Sequence, residues 1–423
     1  MHFIPKMDRL RQVIERDVII VGGGAAGIFA AITCAEACPQ AKITVIEKGP
    51  QLLSKVLISG GGRCNVTHAC FEPRELSSYY PRGAQALLGP FARFQPRDTI
   101  EWFNARKVRL KTEADGRVFP VTDSSRTIVD CLEESARKAG VDLRVNHGVK
   151  RAIRDGEGRF ELMLENEEVV YGRRVMLATG GCRAAAAGRL AVSLGHTLES
   201  PVPSLFAFQT GDPRLKKLAG ISMESVEVTL EGLRLSARGA LLVTHAGVSG
   251  PVILRLSAWG ARPLHEKNYR FRICINWVPG IEAGAISRAF DERRKNQSAR
   301  LVANTPLAPV PSRLWEYLVQ AAGIPRETRW AALSRSAQHR LVLQLTASEI
   351  DVVGKSLNKD EFVTCGGVRL SEVNFKTMES RVCPNLFFGG ELLDIDGLTG
   401  GFNFQAAWTT GWIAGNAMAG APA

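Results

Sequence analysis

Residues 17–47 read DVIIVGGGAAGIFAAITCAEACPQAKITVIE, and the order of residue types in them spells a β-α-β unit. Asp17 to Val21 is a short, almost wholly apolar run, as a parallel strand requires when both its faces are covered. Gly22, Gly24 and Gly27 follow as G-x-G-x-x-G, with Ala25 and Ala26 between the last two. In that pattern the first glycine permits a tight turn and the second lets the backbone approach a pyrophosphate. The third lets the next helix pack closely on the strand. Ala25 to Cys38 carries small and apolar residues that favour a helix until Pro39 stops it. Ile43 to Ile46 is a second buried strand, and Glu47 closes it 20 residues beyond Gly27. A carboxylate there accepts the hydroxyls of an adenosine ribose while the helix N-terminus holds the phosphates. With Glu47 in that place, and Lys48 only as its neighbour, the ribose is expected to be unphosphorylated, so FAD or NAD rather than NADP.

The 423 residues suffice for two or three domains, and 45% hydrophobic with 23% charged residues is an ordinary globular composition. No run approaches the roughly 18–20 apolar residues of a membrane span. The opening MHFIPKMDRLRQVIER interleaves charge with apolar residues, unlike a secretory signal, and reads as a short helix or an extension, with Met7 as an alternative start. Nine cysteines (34, 38, 64, 70, 131, 182, 274, 365, 383) are scattered without a C-x-x-C. That speaks against a disulfide framework, a zinc site or a dithiol motif, so no metal and a reducing cytoplasm are expected. The net charge of +12 admits polyanionic partners. The basic residues form no block and no aromatic-basic repeat, however, so nucleic acid is disfavoured as a partner.

Further along, LLSKVLISGGGRCNVT (52–67) places Lys55 ahead of Ser59, Gly60, Gly61, Gly62, Arg63, Cys64 and Asn65. Three consecutive glycines make a loop with exposed amides, suited to close approach of a planar ring or a phosphate. Val108 to Val118 reads as a hairpin turning at Ala114-Asp115-Gly116. Ser125 to Gly140 is a helix with Ile128, Leu132 and Ala136 on one face. Val141 to Val145 is a strand, after which Gly148-Val149 offers backbone to an adenine, and Phe160–Leu164 pairs with Val169–Tyr171. The strand RVMLATGG (174–181) ends in Ala178-Thr179-Gly180-Gly181, a second small-residue approach that shifts the choice from NAD to FAD.

From Leu198 to about Trp277 an all-β insertion is expected, with strands at Val226–Leu230, Leu233–Leu235, Ala240–Thr244 and Tyr269–Trp277 closing a small barrel. Within it LLVTHAGVSGP (241–251) sets Thr244, His245 and Ser249 among glycines, a candidate wall for a substrate. Pro279 to Ala347 reads as a helical cap, with patterns at 286–294, 313–322 and 329–336, and Asp351–Val368 returns extended. The expected division is therefore a discontinuous FAD domain (1–197 and 364–423), a barrel (198–278 and 346–363) and a helical subdomain (279–345). Residues 385–418, NLFFGGELLDIDGLTGGFNFQAAWTTGWIAGNAM, end a strand at Phe388, place Glu391 after Gly390, and turn at Gly400-Gly401 into a helix. The free amides at the start of that helix suit negative charge on a reduced flavin, with Asn403 as a side-chain donor.

KVLISGGGRCNVT, LLVTHAGVSGP, VTCGGVRLSEVNFKTMESR and GGELLDIDGLTGGFNFQAAWTTGWIAG together resemble the BaiN-type family of bacterial NAD(P)/FAD-dependent oxidoreductases. The resemblance implies a glutathione-reductase-like FAD-binding Rossmann domain interrupted by a β-barrel and a helical cap. It implies that Gly22, Gly24, Gly27 and Glu47 hold the ADP half, that Val149 meets the adenine, and that Glu391 accepts a ribityl hydroxyl. Gly401, Phe402 and Asn403 would lie at the isoalloxazine, with Leu398 and Phe402 standing where the family more often has proline and tyrosine. Lys48, Lys55, Thr179, Gly180 and Gly390 complete the expected cofactor set.

The expected activity is hydride transfer between a small organic substrate and flavin N5, with Arg63 and His245 anchoring or protonating the substrate and Asn403 at the flavin edge. No second G-x-G-x-x-G follows a strand, so NADH or NADPH would dock only transiently, or oxygen would be the acceptor. The lack of C-x-x-C excludes a disulfide reductase. The rival readings are a flavin-dependent RNA-modifying enzyme, suggested by the positive charge, and a non-catalytic FAD-holding redox sensor. An NAD-bound dehydrogenase is opposed by the ATGG strand.

Overall fold

The apolar run at Asp17 belongs to a longer strand, Ile14–Val21, whose last four residues are buried on both faces. It is the centre of a sheet in this computed structural model, which describes residues 14–182, 185–356 and 363–420. The N-terminal segment read as a helix or extension thus lies mostly outside the described residues. The chain divides into two compact units, Met1–Pro201 with Thr364–Ala423, and Val202–Val363.

In the first unit the parallel strands run in the order Leu386–Phe388, Val169–Leu177, Ile14–Val21, Ile43–Ile46, Asp142–Arg144. Val18 lies opposite both Ile43 and Arg174, so the first strand is flanked on both edges, as its apolar sequence demands. The sequence split 169–177 at Gly172-Arg173, but it is one strand, antiparallel to Phe160–Leu164 on one edge and parallel to the first strand on the other. Glycine stands at 172 because a Cβ there would come 2.7 Å from the Ile19 side chain. The first helix, Ala25–Ala37, is buried along most of its length and packs on the last helix, Phe402–Ala419. Their approach is set by small residues: a Cβ on Gly411 would lie 2.6 Å from the Ala26 carbonyl, and one on Gly415 2.6 Å from that of Ala30.

The second unit holds a closed barrel of Ala207–Thr210, Gly247–Ser249, Leu235–Val243, Ser222–Leu230, Phe271–Asn276 and Ser348–Ser356, which leaves no free sheet edge. Two expectations are corrected here. Residues 198–278 are not all-β, since Gly250-Pro251 starts a helix, Pro251–Trp259, followed by Ala261–Glu266. Leu233 lies in the turn of a hairpin whose return strand is Leu235–Val243, continuous through the expected gap.

The cap helices are Ala283–Asn296, Ser312–Ala321 and Arg335–Thr346. The pattern at 329–336 is a 3-10 turn, Trp330–Ala332, leading to Ser334, which caps the last of these helices by accepting from the Ala337 amide at 3.2 Å. Trp315, Trp330 and Phe290 of the cap share one core with Val228, Ile275 and Trp277 of the barrel. Each buried indole N–H in that core finds an oxygen: Trp277 at Ser348, Trp315 at the Val302 carbonyl and Trp330 at Thr305. Among the described residues no helix is long and apolar enough to cross a membrane.

Candidate cofactor site

The three motif glycines answer to different constraints. Gly22 has φ +112°, and a Cβ on it would lie 2.3 Å from the Ala178 carbonyl oxygen, so the turn closes only against bare backbone. A Cβ on Gly27 would lie 2.0 Å from the oxygen of Gly22, which fixes the helix hard against the strand. Gly24 differs: its backbone is extended, and nothing lies within 4 Å of where its Cβ would be. The missing side chain leaves open space at the uncapped N-terminus of Ala25–Ala37, where free amides and the helix dipole favour an anion.

Glu47 faces that loop. Its two oxygens accept from the amides of Gly23 and Gly49, each at 2.7 Å, and each oxygen keeps a lone pair for a further donor. Asn146 and His147 donate to the Gly49 and Glu47 carbonyls, which brings the turn before Val149 alongside the carboxylate. Val149 itself opens the strand Val149–Arg154 and pairs with Leu164. Lys48 points outward to an exposed ion pair with Glu165 at 3.1 Å.

Four sequence segments meet at Glu391. One carboxylate oxygen accepts from Lys55 Nζ at 2.6 Å and the other from the Thr364 amide at 2.9 Å. A Cβ on Gly181 would come 2.7 Å from the latter oxygen, so the end of the ATGG segment has to be bare there. Gly180 (φ +75°), Gly61 and Gly62 each have nothing within 4 Å of a Cβ position. Gly390 donates its amide to the Thr410 hydroxyl at 2.9 Å, and Thr179 follows Ala178 at the end of the parallel strand.

The expected glycine loop is preceded by helix. Ser54–Gly62 is hydrogen-bonded as a helix but leaves helical geometry at Ser59, Gly60 and Gly61, the two glycines turning left-handed. Arg63, expected to anchor or protonate a substrate, is engaged elsewhere. Its guanidinium bonds Glu113 at 2.8 Å, lies 3.6 Å from Asp123, and stacks 4.1 Å over the Phe119 ring. Cys64 is buried, and burial pushes its thiol up to about 12, so it stays protonated and is no nucleophile. Asn65 accepts from the Gly401 amide and donates to the Thr67 carbonyl, both at 3.0 Å, tying this loop to the last helix.

That helix begins after two left-handed glycines, Gly400 and Gly401, and no side chain caps it. Its first amides therefore have no intrahelical acceptor. Asn403 does not aim a free amide outward: it accepts from the Gly397 amide at 2.8 Å and donates to the Gly397 carbonyl at 2.9 Å, clamping the preceding turn. Phe402 is buried, with its ring 4.3 Å from that of Tyr79 and 4.7 Å from that of His68, which themselves lie 5.8 Å apart.

His68 escaped the sequence reading, where a lone Thr-His carried no signal. Its Nε2 lies 3.1 Å from the Asp115 carbonyl, which only accepts, so Nε2 carries the proton. The buried Nδ1 has no partner, and burial holds the imidazole below its ordinary titration range, hence neutral. His245 lies in the second unit, exposed at the tip of the four-residue turn Thr244–Gly247 between two barrel strands.

The family described as HI0933-like protein Rossmann domain matches residues 16–417. The chain is 32% identical to a ribosomal RNA dihydrouridine synthase of Escherichia coli, over 94% of this chain and 96% of that one. It is 28% identical to a 3-dehydro-bile acid delta(4,6)-reductase of Clostridium scindens, over 95% and 99%. Among solved structures, a 3-ketosteroid-delta4-(5alpha)-dehydrogenase of Rhodococcus jostii superposes with a TM-score of 0.53 at 15% identity, over 97% of this chain and 98% of that one. That likeness is one of fold. The match along almost the whole length places this chain in the HI0933-like family of FAD-binding Rossmann oxidoreductases.

Proposed function

We propose that this chain is an FAD-dependent reductase that saturates a carbon–carbon double bond conjugated to a carbonyl, and that its substrate is a uracil base in RNA. The observation that carries the reading is the full-length match to two relatives whose names share one chemistry. Dihydrouridine is uridine with its ring double bond saturated, and a delta(4,6)-reductase of a 3-dehydro bile acid acts on double bonds conjugated to an oxo group. The higher identity to the RNA enzyme and the net charge of +12 support RNA as substrate. The scatter of basic residues that counted against nucleic acid therefore loses its weight. A small unsaturated carbonyl compound is the second reading, favoured by the bile-acid relative.

Bound FAD would supply a hydride to one carbon of the double bond while the other takes a proton from solvent, and NADH or NADPH docking transiently would restore the reduced flavin. In this reading Glu47 and the amides around Gly24 hold the ADP half, while Lys55 and Glu391 flank the ribityl chain. Gly61, Gly62 and Gly180 leave room for the ring. The uncapped start of Phe402–Ala419 offers its amides to negative charge. Asn65 and Asn403 fix the turn that presents those amides and are positioning residues.

The test mixes anaerobically reduced protein with a ribosomal RNA transcript or with a 3-oxo-4,6-diene steroid and follows reoxidation of the flavin. Reoxidation by RNA with dihydrouridine formed is the expected result. Reoxidation by the steroid alone selects the second reading, and reoxidation by neither overturns the reaction class.

A further inference from the structure

A groove of about 530 Å³ opens in the first unit between the helix Ala84–Phe91 and the hairpin of Val373–Asn374 with Glu379–Ser380. Arg93, Lys376 and Arg381 line it with Ser371, Asn374 and Phe375, and among the described residues no acid does. The guanidinium bonds in the groove go to backbone rather than to carboxylates: Arg93 Nη1 donates to the Lys376 carbonyl at 2.5 Å, and Arg381 Nε to that of Val373 at 3.3 Å. The other terminal nitrogen of Arg93 is buried with no acceptor, so part of this guanidinium's hydrogen-bonding capacity is unused within the protein. Cations that follow a backbone beside an aromatic ring that stacks a base are the pattern of a single-strand site.

The groove is also within reach of the cofactor cradle. Arg93 lies 5.7 Å over the ring of Trp412, ten residues along the last helix from Phe402. That is ~15 Å at 1.5 Å per residue, about the rise of four or five nucleotides. We infer that this groove docks the single-stranded RNA flanking the base to be reduced, with phosphates on Arg93, Lys376 and Arg381 and a base against Phe375. The inference rests on the RNA reading above.

Its test is fluorescence anisotropy of a labelled, uridine-containing single-stranded RNA titrated with FAD-loaded full-length protein over a range of salt. Lys376→Glu with Arg381→Glu should weaken binding at least about tenfold and lower the salt slope by about two. Lys267→Glu with Lys295→Glu, the same charge change on the second unit, should do far less. Phe375→Ala should weaken binding with the salt slope unchanged. Unchanged flavin content certifies the fold, and Lys376→Gln and Arg381→Gln singly give part of the effect if the reversal does not fold. Equal loss in the groove and control variants, or wild-type protein that binds no RNA, overturns the inference. Reoxidation of the reduced flavin then separates the two claims: if the ribosomal RNA transcript still reoxidises it only the docking site falls, if only the steroid does the RNA reading falls too, and if neither does the reductase reading falls with them.

Discussion

Gly24 and Gly27 stand in one motif, yet only one of them is demanded by the protein's own packing. A methyl on Gly27 would meet the Gly22 carbonyl at 2.0 Å, while one on Gly24 would meet nothing within 4 Å. Gly27→Ala is therefore expected to lower stability by about 1–3 kcal/mol or more, as overpacking does. Gly24→Ala should melt like the wild type without cofactor and lose FAD affinity by about tenfold or more. Thermal melts with and without FAD check both. Glu47→Ala leaves the amides of Gly23 and Gly49 without acceptors, which should cost about 1–3 kcal/mol in urea titration even before any loss of flavin. Residues of this kind stand out in a sequence because a motif of fixed spacing sets their geometry locally. The partners of Arg63 and Asn403 could not be read: Glu113 and Asp123 come to the one from a distant segment, and Gly397 meets the other only once the turn before the last helix is folded. His68 was invisible because its burial and its stack on Phe402 exist only in the fold.

The last helix shows how an element exceeds its own sequence. Buried Gln405 accepts from the hydroxyls of Thr67 and Thr99 at 2.6 and 2.9 Å and donates to Thr409 at 3.1 Å, and Thr409 donates on to the Phe94 carbonyl. Such a network stabilises only when every member is satisfied. Gln405→Leu should cost ~2 kcal/mol by stranding those hydroxyls, read as a fall in the denaturant midpoint. The helix itself was legible, since the turn at Gly400-Gly401 starts a stretch without proline through Ala419. The meaning of Gly411 and Gly415 was not, because it lies in the Ala26 and Ala30 carbonyls they pack against. The helix Pro251–Trp259 was missed for a related reason: an apolar run such as PVILRLSAW fits a buried strand and a buried helix equally until its neighbours are known.

At the scale of the whole molecule, a half-buried histidine, His68, and a buried one, His196, give stability a pH dependence. Burial lowers both His68 and His196 from the ordinary value of 6.5. Below about pH 6.5 the unfolded chain therefore binds protons that the folded chain does not, and stability falls as the pH drops through that value towards the folded-state ones. The Tm should decline from pH 7 to pH 5, and His68→Gln with His196→Gln should decline less over the same range. A double variant with the wild-type slope would contradict the assignment.

The FAD-bearing architecture of the first unit could be read from the sequence because parallel strands, glycine turns and an acid at fixed spacing are local signals. The barrel and cap of the second unit could be read only in outline, since their shared core joins segments far apart in sequence.

The most direct test of the account is the flavin stoichiometry of the purified chain, measured as FAD released on denaturation after incubation with excess FAD and removal of what stays free. The expected result is one FAD per chain, with Gly24→Ala folded but depleted. A folded wild-type chain that neither carries FAD nor takes it up would contradict the account at its centre.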